Sequence, residues 1–247
     1  GIGMTMTAGS ASVSRDSPPV FNNVLAWKDE VVGWMRQLVN ECHDEGCAVM
    51  IQLTHLGRRT RWDKGDWLPV VSAGHAREPS HKAFPKKAED WDIERLIADY
   101  ASAAQRMQQA GLDGIEIQAY GHLMDQFWSP LTNELEGPYG GESLDIRLRF
   151  TMETLEAIRA ACGPNFIVGV RYTGDEDLKG GLTNRDGLAI SHRLKDSGLV
   201  DFLNVVKGHI DTDAGLTDVI PVQGMRSSPH LDFAGEIRKA TEFPTFH

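Results

Sequence analysis

The sequence is poor in cationic residues: 25 Lys plus Arg stand against 35 Asp plus Glu, a net charge of −10. That balance argues against a nucleic-acid backbone or an anionic membrane surface as a partner. No apolar run of about 18 residues occurs, and no charged-then-apolar leader opens the chain, so it reads as neither membrane-spanning nor exported. Cysteine is scarce: Cys42, Cys47 and Cys162 are odd in number and lack zinc-type spacing. They fit reduced thiols in a cytoplasmic protein, and exclude a disulfide framework. Gly180-Gly181 has neither the Lys-Ser/Thr nor the GxGxxG context that a phosphate loop needs. Internal repeats and low-complexity tracts are also missing.

What is present is an alternation of strands and helices. With 247 residues, 41% of them hydrophobic, the chain can bury one large core. Apolar runs predict strands over 3–8, 47–53, 114–117, 166–171 and 200–206, with a further strand beginning near Phe243. Between them, one-faced apolar periodicity predicts helices over 28–45, 91–111, 148–158, 184–197 and 231–240, with Gly46 and Gly111 as C-terminal stops. Residues 9–12 and Pro18-Pro19 read as loop, and 54–89 as a long loop that is functional or carries small elements of its own. Strands joined by helices imply an α/β fold with a parallel sheet and right-handed crossovers, doubly wound or closed into a barrel. The chain opens Gly-Ile-Gly without Met and ends at the onset of a strand, which reads as a fragment of a larger domain.

Candidate site residues collect at strand ends, where loops vary without disturbing the core. Gln52 and Arg171 end their strands and can face a ligand; Gln donates and accepts, and Arg is a fixed cation, a set that suits an electron-poor ring whose reduced form is an anion. The alternative is pairing with a carboxylate such as Glu116. Tyr120 and His122 form an acid/base pair or a structural hydrogen bond. Asp211 and Asp213 fit a general base or a solvated turn, and Arg58-Arg59-Thr60-Arg61 an anion site or a solvated face.

Five strings in order carry a resemblance: Ile51-Gln52-Leu53-Thr54-His55-Leu56-Gly57-Arg58, Asp113-Gly114-Ile115-Glu116-Ile117, Asp125-Gln126-Phe127, Tyr139-Gly140-Gly141 and Arg147-Leu148-Arg149-Phe150. Together they resemble the Old Yellow Enzyme family of flavin oxidoreductases. The segments Ala119-Tyr120-Gly121-His122 and Gly208-His209-Ile210-Asp211 look most like its trimethylamine dehydrogenase and N-methylproline demethylase branch. The resemblance covers essentially the whole chain and implies strands two to seven of an FMN-binding (β/α)8 TIM barrel.

It also implies roles. Gln52 would bind the pyrimidine edge of FMN, Arg171 would sit where negative charge gathers in the reduced flavin, and Gly9 would let the backbone approach the ring. Tyr120 and His122 would hold the substrate and handle protons, no metal being implied. The reaction would be oxidative demethylation of an N-methylated amine or amino acid. Alternatives are an enone or 2,4-dienoyl-CoA reductase using NAD(P)H, a Schiff-base or metal-dependent barrel lyase for which Lys207 is the sole candidate, and a non-catalytic binding barrel. Partners would be a small-molecule substrate and an electron acceptor or NAD(P)H, with homo-oligomerisation open; relatives carry an iron-sulfur cluster and a second nucleotide cofactor in C-terminal parts past His247. Three departures stand out: the stretch between Gln118 and Asp125 is one residue short, Glu134 to Pro138 replace an Arg and an Asp, and Glu142 and Ile146 are altered. The latter two are expected to weaken a hydrogen-bonded corner below the loop.

Overall fold

The strand Met4–Ser12 (β1) runs parallel to Ala48–Thr54 (β2), with the helix Val31–Asp44 (α1) between them in sequence. The computed structural model describes residues 1–17, 22–60 and 69–247, with backbone only at 8–10. Pro18-Pro19 and Arg61 therefore lie outside the described residues. After β2, a small parallel pair, Val71–Ser72 (β3) and Lys86–Lys87 (β4), gives the long loop elements of its own. Asp90–Ala110 (α2) follows, opened by reciprocal capping between Glu89 and Asp92 and closed by Gly111 at φ 95°.

Gly114–Ala119 (β5) leads into a short helix, Leu123–Trp128 (α3). Leu144–Arg147 (α4), Arg149–Cys162 (α5), Ile167–Asp175 (β6), Asn184–Asp196 (α6) and Phe202–Lys207 (β7) come next. Asp213–Val219 (α7), Leu231–Thr241 (α8) and Thr245–Phe246 (β8) complete the order. One sheet orders β1-β2-β5-β6-β7-β8, every pair parallel. Helices interposed between parallel neighbours make this a half-barrel of the (β/α)8 type.

The expected elements are found, with shifts. Residues 9–12 extend β1, across an irregularity in the pairing between Thr7 and Ala11, and so are not loop. Arg171 stands inside β6, four residues before its end, because the strand runs on to Asp175. The helices α3, α4 and α7 are additional. On α3 every residue from Leu123 to Trp128 is buried, so its sequence shows no polar face and no helical period.

Alternation assigns the two faces of the sheet. Ile51, Leu53, Ile115, Ile117, Val168 and Val170 belong to the main core under the helices. The intervening residues Gln52, Thr54, Glu116, Gln118, Arg171 and Asn204 therefore share the opposite, concave face. Gly169 sits on that face opposite Glu116, and a Cβ there would lie 2.0 Å from the Phe202 ring.

The corner below the α3 loop is held by Arg147, Asn133 and Glu134. Arg147 is buried and donates from Nε to the Trp128 carbonyl (2.6 Å) and from Nη1 to the carbonyls of Gly141 (2.9 Å) and Glu142 (2.7 Å). Asn133 Nδ2 donates to the carbonyls of Phe127 (2.6 Å) and Tyr139 (2.8 Å), and Glu134 Oε2 accepts from the His75 N–H (2.9 Å). Backbone carbonyls accept all these Arg147 and Asn133 bonds. Arg147→Met leaves three of them without this donor, and we expect a loss of about 3 kcal/mol in chemical denaturation. A loss within experimental error would remove Arg147 as the corner's fastener.

Candidate functional site

The parallel register builds two tiers on the concave face. In the first, Gln52, Glu116 and Gly169 are neighbours; in the second, Gln118, Arg171 and Asn204. Gln52 Nε2 donates to Glu116 Oε1 (2.7 Å), and Asn204 Nδ2 donates to Glu116 Oε2 (2.8 Å). Burial pushes the Glu116 carboxyl up, against these two hydrogen bonds and the Arg171 charge, which pull it down. Glu116 is thus the hub that orients Gln52 and Asn204, and the pairing weighed for Gln52 is present. For Arg171 that carboxylate acts through space, since Arg171 Nε has no hydrogen-bond partner among the described residues.

Other buried polar atoms nearby are also unpaired: Gln118 Oε1, Asn204 Oδ1 and the Tyr120 hydroxyl, again among the described residues. Each costs about 1–3 kcal/mol if left so in a finished site. One fixed cationic donor beside two amide oxygens matches a planar ring edge that carries both carbonyl oxygens and an N–H, as the flavin pyrimidine edge does. The residues present therefore fit FMN, which Gln52, Arg171, Gln118 and Asn204 would hold. Gly9 lies on β1, in the stretch where only the backbone is described. Among the described residues no group of three His, Cys, Asp or Glu has metal-binding geometry.

Past β5 the chain turns sharply. Gly121 takes φ 65°, and the Asp125 carboxylate accepts the N–H groups of Gly121 (2.5 Å) and His122 (2.8 Å). The turn separates the expected pair. His122 is buried with Nδ1 2.6 Å from Thr54 Oγ1; burial above all, then the charges of Arg59, His55 and Arg171, push it down to about 3, so the imidazole is neutral. Tyr120 instead lines a cleft, and burial raises its pKa, leaving a neutral hydroxyl.

Burial pushes Asp125 up to about 7. A carboxyl whose folded pKa lies above its unfolded value near 3.8 adds stability that is complete at low pH and is lost as pH rises to 7. We expect stability to fall between pH 4 and 7 by up to roughly 1.4 kcal/mol per pH unit, a slope that Asp125→Asn flattens. Equal slopes in chemical denaturation of both proteins would contradict this.

The cleft beside Tyr120 is walled by Arg58, Arg59, Glu176, His209 and Asp211. Arg59 is buried and ties three loops together. It donates to the carbonyls of Ile210 (2.7 Å) and Gly121 (3.4 Å), pairs with Asp211 (2.7 Å), and meets Glu78 Oε1 at 2.8 Å as a charge contact without hydrogen-bond alignment. Neither the solvated face read for Arg59 nor the solvated turn read for Asp211 is found. Asp213 is exposed in the first turn of α7, and Lys207 pairs with Asp177 (3.1 Å) and Asp175 (3.6 Å), so it offers no free amine. Glu116, Gln118 and Asn204 were missed as site residues by sequence reasoning, although their polar character within apolar strands was the signal available.

Comparisons with known proteins agree with this geometry. The pattern of the NADH:flavin oxidoreductase / NADH oxidase family matches residues 1–215. Probable N-methylproline demethylase of Rhizobium meliloti is 68% identical over all of this chain and 36% of its own length. N,N-dimethylglycine/sarcosine dehydrogenase of Chromohalobacter salexigens is 40% identical, with the same coverage of 100% and 36%. The chain thus spans about a third of the length of these relatives. Histamine dehydrogenase from Rhizobium sp. 4-9 shares the fold at a TM-score of 0.86 and 20% identity, over 98% of this chain and 35% of that one. No helix among the described residues is long and apolar enough to cross a membrane.

Proposed function

Since the chain belongs to the NADH:flavin oxidoreductase / NADH oxidase family, a family of FMN-dependent oxidoreductases, we propose that it is the FMN-binding part of an enzyme that oxidatively demethylates an N-methylated amino acid. Its six strands would take positions two to seven of the eight-stranded barrel. One observation carries the reading: Tyr120, whose buried hydroxyl has no partner among the described residues, lines a cleft one same-face position beyond Gln118, next to the likewise unpaired atoms of Arg171 and Asn204. When bound, FMN would supply the two-electron acceptor for the hydride that an N-methyl carbon gives up.

The chain's own groups prepare the substrate. Hydride leaves only an amine whose nitrogen lone pair is free, so the site must disfavour the ammonium form. The neutral Tyr120 hydroxyl would position the unprotonated amine by a hydrogen bond to its nitrogen, released as the lone pair moves into the iminium, and the positive charges of Arg59 and Arg171, which already bias Tyr120 and His122, oppose protonation of the nitrogen. Water then completes hydrolysis of the substrate iminium to formaldehyde and the demethylated amino acid. The free thiols Cys42, Cys47 and Cys162 support a cytoplasmic setting. An electron acceptor or a nicotinamide nucleotide would close the cycle.

The test uses the protein that carries this sequence, anaerobically, with N-methylproline in one cuvette and an enone plus NADPH in another. Bleaching of the flavin by N-methylproline, with one formaldehyde per flavin reduced, is the expected result. Turnover of the enone alone would move the site to the reductase reading.

A further inference from the structure

We propose that Arg58 is the group that recognises the substrate carboxylate, and so sets the preference for N-methylated amino acids over plain N-methylated amines. This rests on the demethylase reading of the same cleft. Arg58 and Tyr120 line that cleft together. An N-methylated amino acid bound there as amine and carboxylate would have its nitrogen at Tyr120 and its carboxylate at the guanidinium.

The Arg58 backbone is fixed before the side chain begins. Gly57 takes φ 57°, and a Cβ there would lie 2.2 Å from Gln126 Oε1, the atom that accepts the Arg58 N–H (3.0 Å) and the Ser72 hydroxyl (2.9 Å). The side chain is then held at one nitrogen only: Nη1 donates to the carbonyls of Arg77 (3.1 Å) and Ala76 (3.4 Å). Among the described residues, Nε and Nη2 make no hydrogen bond. Nη2 approaches Asp211 Oδ2 at 3.6 Å, beyond hydrogen-bonding distance.

The nearby carboxylates are committed elsewhere. Asp211 is taken by Arg59 at 2.7 Å, and Glu176 Oε2 accepts from the Ser129 hydroxyl and the Leu182 N–H, both at 2.7 Å. Arg59 spends Nε on the Gly121 carbonyl, Nη1 on the Ile210 carbonyl and Nη2 on Asp211, and its side chain is 5% exposed. Arg58 is the cation of this wall with donors left over, on a side chain 13% exposed. A planar guanidinium with free adjacent donors matches a carboxylate.

The experiment compares Arg58→Met and Arg58→Lys with the unaltered protein, all purified with flavin bound, on N-methyl-L-proline and on N-methylpyrrolidine, which lacks the carboxylate. The ratio of the two kcat/KM values should fall about 100-fold in Arg58→Met and about 10-fold in Arg58→Lys, through KM for N-methyl-L-proline. Independently of turnover, L-proline titrated against the oxidised flavin spectrum should bind about 100-fold more weakly to Arg58→Met. An unchanged ratio, an equal fall for both substrates, or an unchanged L-proline affinity overturns the assignment. If neither methylated compound reduces the unaltered protein, the demethylase reading fails, and the L-proline titration still decides the role of Arg58.

Discussion

Arg171→Met weakens FMN binding by about 10–100-fold, as titration of flavin fluorescence on the stripped protein will show. Arg171 Nε is buried and, among the described residues, unpaired, as is one oxygen on each of its neighbours in register, Gln118 and Asn204. A fixed cation beside a flavin stabilises the reduced anion more than the oxidised ring. The potential of the flavin that remains should accordingly drop by about 30–60 mV, the two-electron equivalent of ~1.4–3 kcal/mol. Arg171→Lys keeps the charge and loses the fork, so it should restore part of the potential and little of the affinity. Unchanged affinity and potential in Arg171→Met would remove the residue from the flavin site.

Tyr120→Phe slows flavin reduction by N-methylproline about 10²–10⁴-fold while FMN stays bound. The variant deletes one buried hydroxyl that has no partner among the described residues and leaves the ring that packs with Val206 and Val219. His122→Gln should cost much less, because the imidazole is neutral, sealed against Thr54 and absent from the cleft wall. Neither group titrates between pH 6 and 9: burial raises Tyr120 and lowers His122 to about 3. Asp125, which lines the same cleft and is pushed up to about 7, does titrate there. The rise in reduction rate as the substrate ammonium loses its proton should keep its wild-type midpoint in Tyr120→Phe and in Asp125→Asn. Stopped-flow reduction at several pH values checks both statements. A midpoint that vanishes with Tyr120 would make the tyrosine the titrating group, and a full rate in Tyr120→Phe would dismiss it.

The strand and helix alternation was legible because apolar periodicity follows burial, and burial on a two-sided sheet is nearly continuous along each strand. Gln52 and Arg171 stand out as polar groups within apolar runs, but the run alone leaves flavin and pairing with Glu116 equally open, and the Gln52–Glu116 bond is indeed present. Glu116 was noticed only as an alternative partner: an acid inside Gly114–Ala119 shows its role once β2 and β7 supply Gln52 and Asn204 at 2.7 and 2.8 Å. The Arg59–Asp211 pair spans 152 positions, so a local reading saw a charge run and a turn. The split between Tyr120 and His122 depends on Gly121 at φ 65° and on two backbone bonds to Asp125, neither visible as a pattern. The short helix α3 is held by burial on all sides and carries no period to read.

The central claim is that the concave face around Gln52 and Arg171 is a flavin site. The most direct measurement is the visible spectrum of the purified protein that carries this sequence, with the released cofactor identified by mass, beside the Gln52→Ala/Arg171→Met double variant. One FMN per chain in the first and a colourless product in the second is the predicted result. A colourless wild type that takes up no added FMN, or a double variant that retains the flavin in full, would contradict it.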